Sequence, residues 1–310
     1  MRLVMPDPVP LTPNHLAELG ALVQTTIHSS RPASQANLIE RIAGADIITT
    51  FYLDVGEDVI SHAPSLKYII VLAVGHDSVD SAAASRAGIR VINCPRHNYV
   101  AVAEHALGLM LACTRKTVSA NTSLRRGEWR PVSYEGPELN GKTLGLVGYG
   151  NIGKAVARYA ACLGMTTQFV NSSSSPQALD DLLATSDIVC LCLPLTQATR
   201  HLMDERRLAL MKKTAYLVNT SRGAIVDQRA LLTALRTGQL AGAALDVFEG
   251  EPFRAGIDPD TQSLLSLDNV VATPHIASDT PEVLIRLGAE LIENVRACLN
   301  GRPINVVNPV

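Results

Sequence analysis

The chain has 310 residues, 47% hydrophobic and 18% charged, with a formal net charge of −2. That length favours two domains, and the near-neutral balance gives no electrostatic reason to expect nucleic acid or an anionic membrane as a partner. No apolar run reaches the roughly eighteen residues that span a bilayer, and prolines interrupt the opening MRLVMPDPVPL where a secretory signal needs an apolar core. A cytoplasmic protein is expected.

In the first third, DIITT (46–50), KYIIVLAV (67–74) and IRVINC (89–94) read as strands, separated by helical stretches such as ASQANLIERIAG and DSVDSAAASRAG. CPRHNY (94–99) has the character of a turn. From Val100, VAEHALGLMLACTRKTVSANTSLRRG reads as one long helix, apolar along one side. A fresh series of strands follows: TLGLVG (143–148), TTQFVN (166–171), DIVCLCLP (187–194), AYLVNT (215–220), AGAALDV (241–247) and NVVATP (269–274). The last helix, PEVLIRLGAELIENVRACLN, starts on a first-turn proline and ends before Gly301. Strands alternating with helices predict α/β architecture: two doubly wound parallel-sheet domains, the C-terminal helix returning to the first, with a cleft between them. Six cysteines (94, 113, 162, 190, 192 and 298) fall in apolar runs without CxxC pairs, which predicts buried free thiols and no metal site.

TLGLVGYGNIGKAVARYAACLGM sets Gly148, Gly150 and Gly153 in GxGxxG spacing between a strand and a helix. The spacing alone is weak evidence in a chain with 21 glycines, and an ordinary βα turn is the bland alternative. The strand–turn–helix context makes it strong. The first glycine permits the tight turn, and the second lets backbone approach a pyrophosphate. The third lets the helix pack closely, with Asn151 and Ile152 in its opening turn, where amides face the phosphates. The second unit is therefore expected to be a Rossmann domain that binds a dinucleotide. A carboxylate usually receives the ribose about twenty residues beyond such a turn. Here the strand ends instead in FVNSSSSP. Asn171 and Ser172, Ser173 and Ser174 cannot repel a 2′-phosphate, and their amide and hydroxyl groups can donate to one, although the stretch has no Arg or Lys. NAD(P) is expected, with NADP(H) slightly favoured over NAD(H).

Downstream, NTSRGAIVD (219–227), ALDVFEGEP (244–252) and ATPHIAS (272–278) each begin where a strand ends. Ligands of wound α/β folds sit outside the carboxyl ends of the strands, so Arg222, Glu251 and His275 can converge there. Singly they are weak. An arginine or glutamate in such a loop is more often a solvated charge, and a histidine after proline is as often a core residue. Jointly they suit hydride transfer to a 2-oxo acid. Arg222 offers a permanent planar cation for the carboxylate and carbonyl, and His275 an acid that titrates near neutrality. Glu251 would orient that ring and keep it protonated.

These segments, with SLKYIIVLAVGHDSVDSAAASRAGIRVINCP, NYVAVAEHALGLMLA, ELNGKTLGLVGYGNIGKAVA, CLPLTQATRHLM and the closing PINVVNP, resemble the D-isomer-specific 2-hydroxyacid dehydrogenase family over nearly the whole chain. The family includes glyoxylate/hydroxypyruvate reductases and phosphoglycerate dehydrogenases. The resemblance implies that Arg222 binds substrate and that His275 is the acid/base, with Glu251, the residue before Pro252, as its partner rather than Glu249. It implies that the amides of Val74 and Gly75 hold the substrate carboxylate and that Asn98 lies beside the cleft. Asp246 would bind the nicotinamide carboxamide, Asn219, Thr220 and Ser221 would line that ring, and Leu193 and Pro194 would flank the adenosine. A flavodoxin-like substrate domain (1–98 with 279–310) and a cofactor domain (99–278) follow, hinged near 99 and 276–280. So does a homodimer made through the helix from Val100.

Two departures stand out. Most NAD-using members have Asp where Asn171 stands, which opens the cofactor question. Phe51, Tyr52 and Leu53 differ from the small or polar residues common there, and either line the pocket or pack at a strand end. Two other activities are compatible with the fold: a cofactor-sensing interaction protein like the related corepressors, and oxidation of a small anion such as formate or phosphite. Formate dehydrogenases have glutamine at the position of Glu251.

Overall fold

The computed structural model describes every residue except 10, 52, 131–133, 252, 254, 255 and 310. Tyr52 and Pro252 thus lie outside the described residues. In chain order the elements begin with β1 (Arg2–Met5), α1 (Pro13–Leu22), β2 (Gln24–Ile27), α2 (Gln35–Ile42), β3 (Ile47–Thr50), α3 (Glu57–Ser61), β4 (Tyr68–Val71), α4 (Ser81–Arg86) and β5 (Arg90–Ile92). Then come α5 (Tyr99–Thr114), α6 (Thr117–Arg125), β6 (Thr143–Val147), α7 (Asn151–Cys162), β7 (Thr166–Val170), α8 (Pro176–Thr185) and β8 (Ile188–Leu191). The chain finishes with α9 (Glu205–Leu210), β9 (Tyr216–Asn219), α10 (Gln228–Arg236), β10 (Gly242–Leu245), α11 (Pro259–Leu265), β11 (Val270–Ala272) and α12 (Pro281–Leu299). It divides into two compact units, Met1–Asn98 with Thr280–Val310 and Tyr99–Asp279.

The first unit is a five-stranded parallel sheet in the order β2-β1-β3-β4-β5, the flavodoxin-like order. Alternation along the strands separates two apolar layers. Val4, Ile48, Ile69 and Val91 face α2, α3 and α4, while Leu3, Ile47, Ile70 and Ile92 face α1 and α12. The last residues close the edge at β5. Val307 N–H donates to Val91 O (2.9 Å), and Asn308 Oδ1 accepts from Val91 N–H (2.7 Å) while its amide donates to Ile89 O and Ser85 Oγ.

The second unit is a six-stranded parallel sheet in the order β11-β10-β9-β8-β6-β7. Its strand order reverses between β6 and β8, and the GxGxxG turn follows β6 while Leu193 and Pro194 follow β8. In doubly wound sheets that reversal opens the ligand crevice. One face packs on α8 to α11 and the other on α5 and α7.

Several expectations are corrected. The long helix from Val100 is two helices, because Lys116 adopts φ +50° in the left-handed region and stops α5. α5 is apolar over most of its circumference, with Glu104 exposed, and packs against β9, β10 and α7. Cys162 is exposed rather than buried; all six thiols are free. β1 and β2 went unread: RLVM has four residues running into prolines, and QTTI is a half-exposed edge strand. Phe51 and Leu53 pack against opposite apolar layers of their unit. No helix among the described residues is long and apolar enough to cross a membrane.

Replacing Asn308 by Ala strands the buried Val91 N–H, so unfolding free energy in a urea titration should fall by about 2 kcal/mol.

Candidate functional site

At the phosphate turn, Gly148 has φ +100°, and a Cβ there would lie 2.2 Å from Cys192 O. A Cβ on Gly153 would lie 2.4 Å from Gly148 O, whereas one on Gly150 would meet nothing within 4 Å. The first and third glycines are thus required by packing, and the second leaves open space over the backbone. Gly150 caps α7 without a side-chain hydrogen bond, so the opening amides of that twelve-residue helix carry their partial positive charge unmet by a cap. Thr220 adds a buried hydroxyl with no hydrogen-bond partner among the described residues, at the end of β9. These features fit a dinucleotide.

The serines beyond β7 have a local explanation. Asn171 Oδ1 accepts from Ser173 N–H (3.0 Å), Ser173 Oγ (2.7 Å) and Ser174 Oγ (3.4 Å), closing an Asx turn. Ser175 caps α8 by accepting from Ala178 N–H. Two of the hydroxyls expected to face a phosphate are therefore engaged with Asn171, whose amide nitrogen and Ser172 remain as the exposed donors.

The strand ends then assemble the charged groups. Asn219 holds the loop after β9, its amide donating to Arg222 O (2.9 Å) and its Oδ1 accepting from Ser221 N–H (3.0 Å). Ser221 Oγ donates to Leu191 O at the end of β8 (2.7 Å). His275 Nδ1 lies 2.9 Å from Glu251 Oε1, and Glu251 Oε2 accepts from Phe248 N–H at 3.3 Å. The hydrogen bond to Glu251 raises the His275 pKa above its ordinary value; burial and the Arg222 charge oppose this, and the Glu251 and Asp246 charges add to it. His275 and Glu251 are therefore paired, and Arg222 lies near enough for its charge to act on the same ring. His275 sits at φ +56°, a strained conformation for a non-glycine residue, held by its N–H donating to Asp246 O (2.8 Å).

Asp246 is fully buried. Its Oδ1 accepts from Thr273 Oγ1 (2.5 Å) and Ile276 N–H (3.0 Å), and its Oδ2 from Ala277 N–H (2.9 Å). His105 Nε2, on α5, lies 2.9 Å from Thr273 Oγ1 and 3.4 Å from Asp246 Oδ1. Burial pushes the carboxyl up, but these hydrogen bonds outweigh it and hold it below the usual carboxylate value. His105 and Thr273 escaped the reading by motif; a histidine inside an otherwise apolar helix was the available signal. Leu193 and Pro194 follow β8, Leu193 partly buried and Pro194 exposed. Val74, Gly75 and Asn98 belong to the first unit, where Asn93 Nδ2 donates to Val74 O (2.7 Å) and Asn98 Oδ1 is buried without a partner. No cluster of three or more metal-ligating side chains exists among the described residues.

A family model for the NAD-binding domain of D-isomer specific 2-hydroxyacid dehydrogenases matches residues 107–277. Over 94% of its length the chain is 40% identical to a glyoxylate reductase of Thermofilum pendens, 91% of which is covered. The chain belongs to the D-isomer-specific 2-hydroxyacid dehydrogenase family. This dehydrogenase is also 42% identical, over 77% of its length and 79% of the relative's, to a hydroxypyruvate reductase of Thermotoga maritima. Its fold superposes with TM-score 0.84 and 28% identity on an NADPH-dependent glyoxylate/hydroxypyruvate reductase from Sinorhizobium meliloti in complex with NADP and malonate. That likeness covers 99% of this chain and 96% of the other. As a family member the dehydrogenase is an oxidoreductase of 2-hydroxy acids with a nicotinamide dinucleotide domain.

The raised pKa of His275 contributes stability that is fully present below the unfolded-state pKa, near 6.5, and is lost as pH rises through the folded value. Glu251→Gln should lower the His275 pKa measured by NMR titration of the ring and remove that pH dependence. Gly223→Ala places a Cβ 1.9 Å from the Phe248 carbonyl carbon, so it should displace the turn bearing Glu251 and lower the same pKa.

Proposed function

We propose that this dehydrogenase reduces small 2-oxo acids of the glyoxylate and hydroxypyruvate kind. The observation that carries the reading is the His275–Glu251 hydrogen bond, with the Arg222 charge bearing on the same ring. A nicotinamide held by the second unit would supply the hydride. Arg222 binds the substrate carboxylate and polarises the 2-carbonyl, its planar fork suiting both oxygens. As negative charge develops on that carbonyl oxygen, protonated His275 donates to it, and Glu251 stabilises the imidazolium until then. In the oxidative direction the same ring, neutral, accepts the hydroxyl proton. Val74, Gly75 and Asn98 are assigned to the substrate on the resemblance, as are Leu193, Pro194, Asn219, Thr220, Ser221 and Asp246 to the cofactor.

Asn171 carries no charge against a 2′-phosphate, which supports NADP(H) over NAD(H). α6 leaves Val118 and Leu124 exposed, and Trp129 beyond it is 81% exposed; this apolar surface supports a homodimer built through the α5–α6 region. Free thiols throughout suit a reducing, cytoplasmic setting.

Arg222→Ala should reduce kcat/KM for glyoxylate about a hundredfold or more, roughly 3 kcal/mol of lost contact to the reacting group, and wild-type-like turnover by that variant would end the assignment. Asn171→Asp should raise KM for NADPH while sparing NADH; equal effects on both would remove Asn171 from the ribose site.

A further inference from the structure

We propose that His201 is a positioning residue that clamps the Arg222 segment to the turn carrying Glu251. The proposal rests on the reading of Arg222, Glu251 and His275 as the reacting groups, and it concerns a histidine outside that set. His201 follows β8 in TQATRHLM and has φ +49°, in the left-handed region that side chains other than glycine rarely adopt. Bonds at both ends of the residue hold it there. Its N–H donates to Ala224 O at 2.8 Å, two residues past Arg222. Its Nε2 lies 2.8 Å from Glu249 Oε1, two residues before Glu251; a carboxylate can only accept, so the ring nitrogen donates.

The segments joined in this way leave each other no slack. Met203 N–H donates to Ile225 O (3.0 Å), and Met203 bridges to Val226, so residues 201–203 run alongside 224–226. Gly223 packs so tightly on the other segment that an added Cβ would lie 2.3 Å from Glu249 N. Glu249 N–H in turn donates to Gln228 Oε1 (3.2 Å), and Gln228 Nε2 donates to Thr261 Oγ1 (2.9 Å), which anchors the turn to α10 and α11. Among the described residues, side chains of the chain after β8 reach this turn through the His201–Glu249 bond and a looser ion pair, Arg200 Nη1 to Glu249 Oε1 at 3.8 Å. Asp227, Arg229, Asp258 and Asp260 are the other charged groups around the cavity of about 790 Å³ that His201 and Glu249 line.

Both side chains are partly exposed, 42% and 34%, so solvent screens the pair and it adds little to global stability. Its consequence is geometric. A guanidinium and a carboxylate on two separate loops keep their spacing only if the loops move as one body, and displacements of about 1 Å are costly to a reacting geometry.

The test compares three variants of the full-length enzyme: His201→Asn, His201→Gln and His201→Asn/Glu249→Ala. Asparagine tolerates the left-handed backbone but is too short to reach Glu249, whereas glutamine keeps a donor at similar reach. Each is assayed for kcat and KM with glyoxylate, for the pH profile of reduction, for the His275 pKa by NMR and for thermal unfolding. His201→Asn should lower kcat about tenfold, move the alkaline limb of the profile and the His275 pKa downward, and leave the unfolding midpoint nearly unchanged. His201→Gln should recover most of the loss, and the double variant should be no worse than His201→Asn. Unchanged kcat and limb in a folded His201→Asn variant, no rescue by glutamine, or additive losses in the double variant would overturn the clamp. If wild-type enzyme turns over no 2-oxo acid, the functional reading fails by itself. The NMR titration still decides the clamp: a lowered His275 pKa in His201→Asn supports it, and an unmoved one overturns it.

Discussion

Asp246 stands at the point where three segments are tied together. Its N–H donates to Asn219 O at the end of β9, and its carbonyl accepts from His275 N–H beyond β11. Its buried carboxylate takes the Thr273 hydroxyl and the Ile276 and Ala277 amides. A buried carboxylate is expensive unless its lone pairs are met, and here they are met by the segment that must hold His275 in a strained backbone conformation. The desolvation of one group is offset by hydrogen bonds that also fix another group's position. The His275 side of the His275–Glu251 pair is held by that arrangement, and the Arg222 loop follows the adjacent strand.

At the opposite edge of the same sheet, the sequence feature that looked functional proves partly structural. Asn171 spends its carbonyl oxygen on the turn that follows β7, Ser173 and Ser174 close that turn, and Ser175 starts α8. Three of the four serines serve a compact Asx turn running straight into a capped helix, and Ser172 stays exposed. The consequence for the cofactor lies in what is missing, a carboxylate, rather than in a row of hydroxyls aimed at phosphate.

The legibility of the chain follows the same division. The central strands of the second sheet were readable because helices cover both faces, so buried apolar residues run on without alternation. β1 and β2 were not: four residues leading into prolines, and a half-exposed edge, leave too short a pattern. The break between α5 and α6 was hidden because Lys116, which turns the chain, is an ordinary helix former whose left-handed conformation is imposed by the surroundings. The pairing of His105 with Thr273 was illegible for a further reason, since the two lie 168 residues apart.

By itself the sequence determined the order and type of most elements, the glycines of the phosphate turn and the residue types needed for hydride chemistry on an acid. Those follow from local constraints, namely alternation of apolar residues, the sterics of a turn, and the ionisation of single side chains. Only the tertiary structure decided that the serines are turn and cap, that Asp246 is enclosed by its own donors, and that His201 joins two loops. Those facts depend on which groups remain for each other once backbone pairing has brought distant strand ends side by side, and no local pattern encodes that remainder.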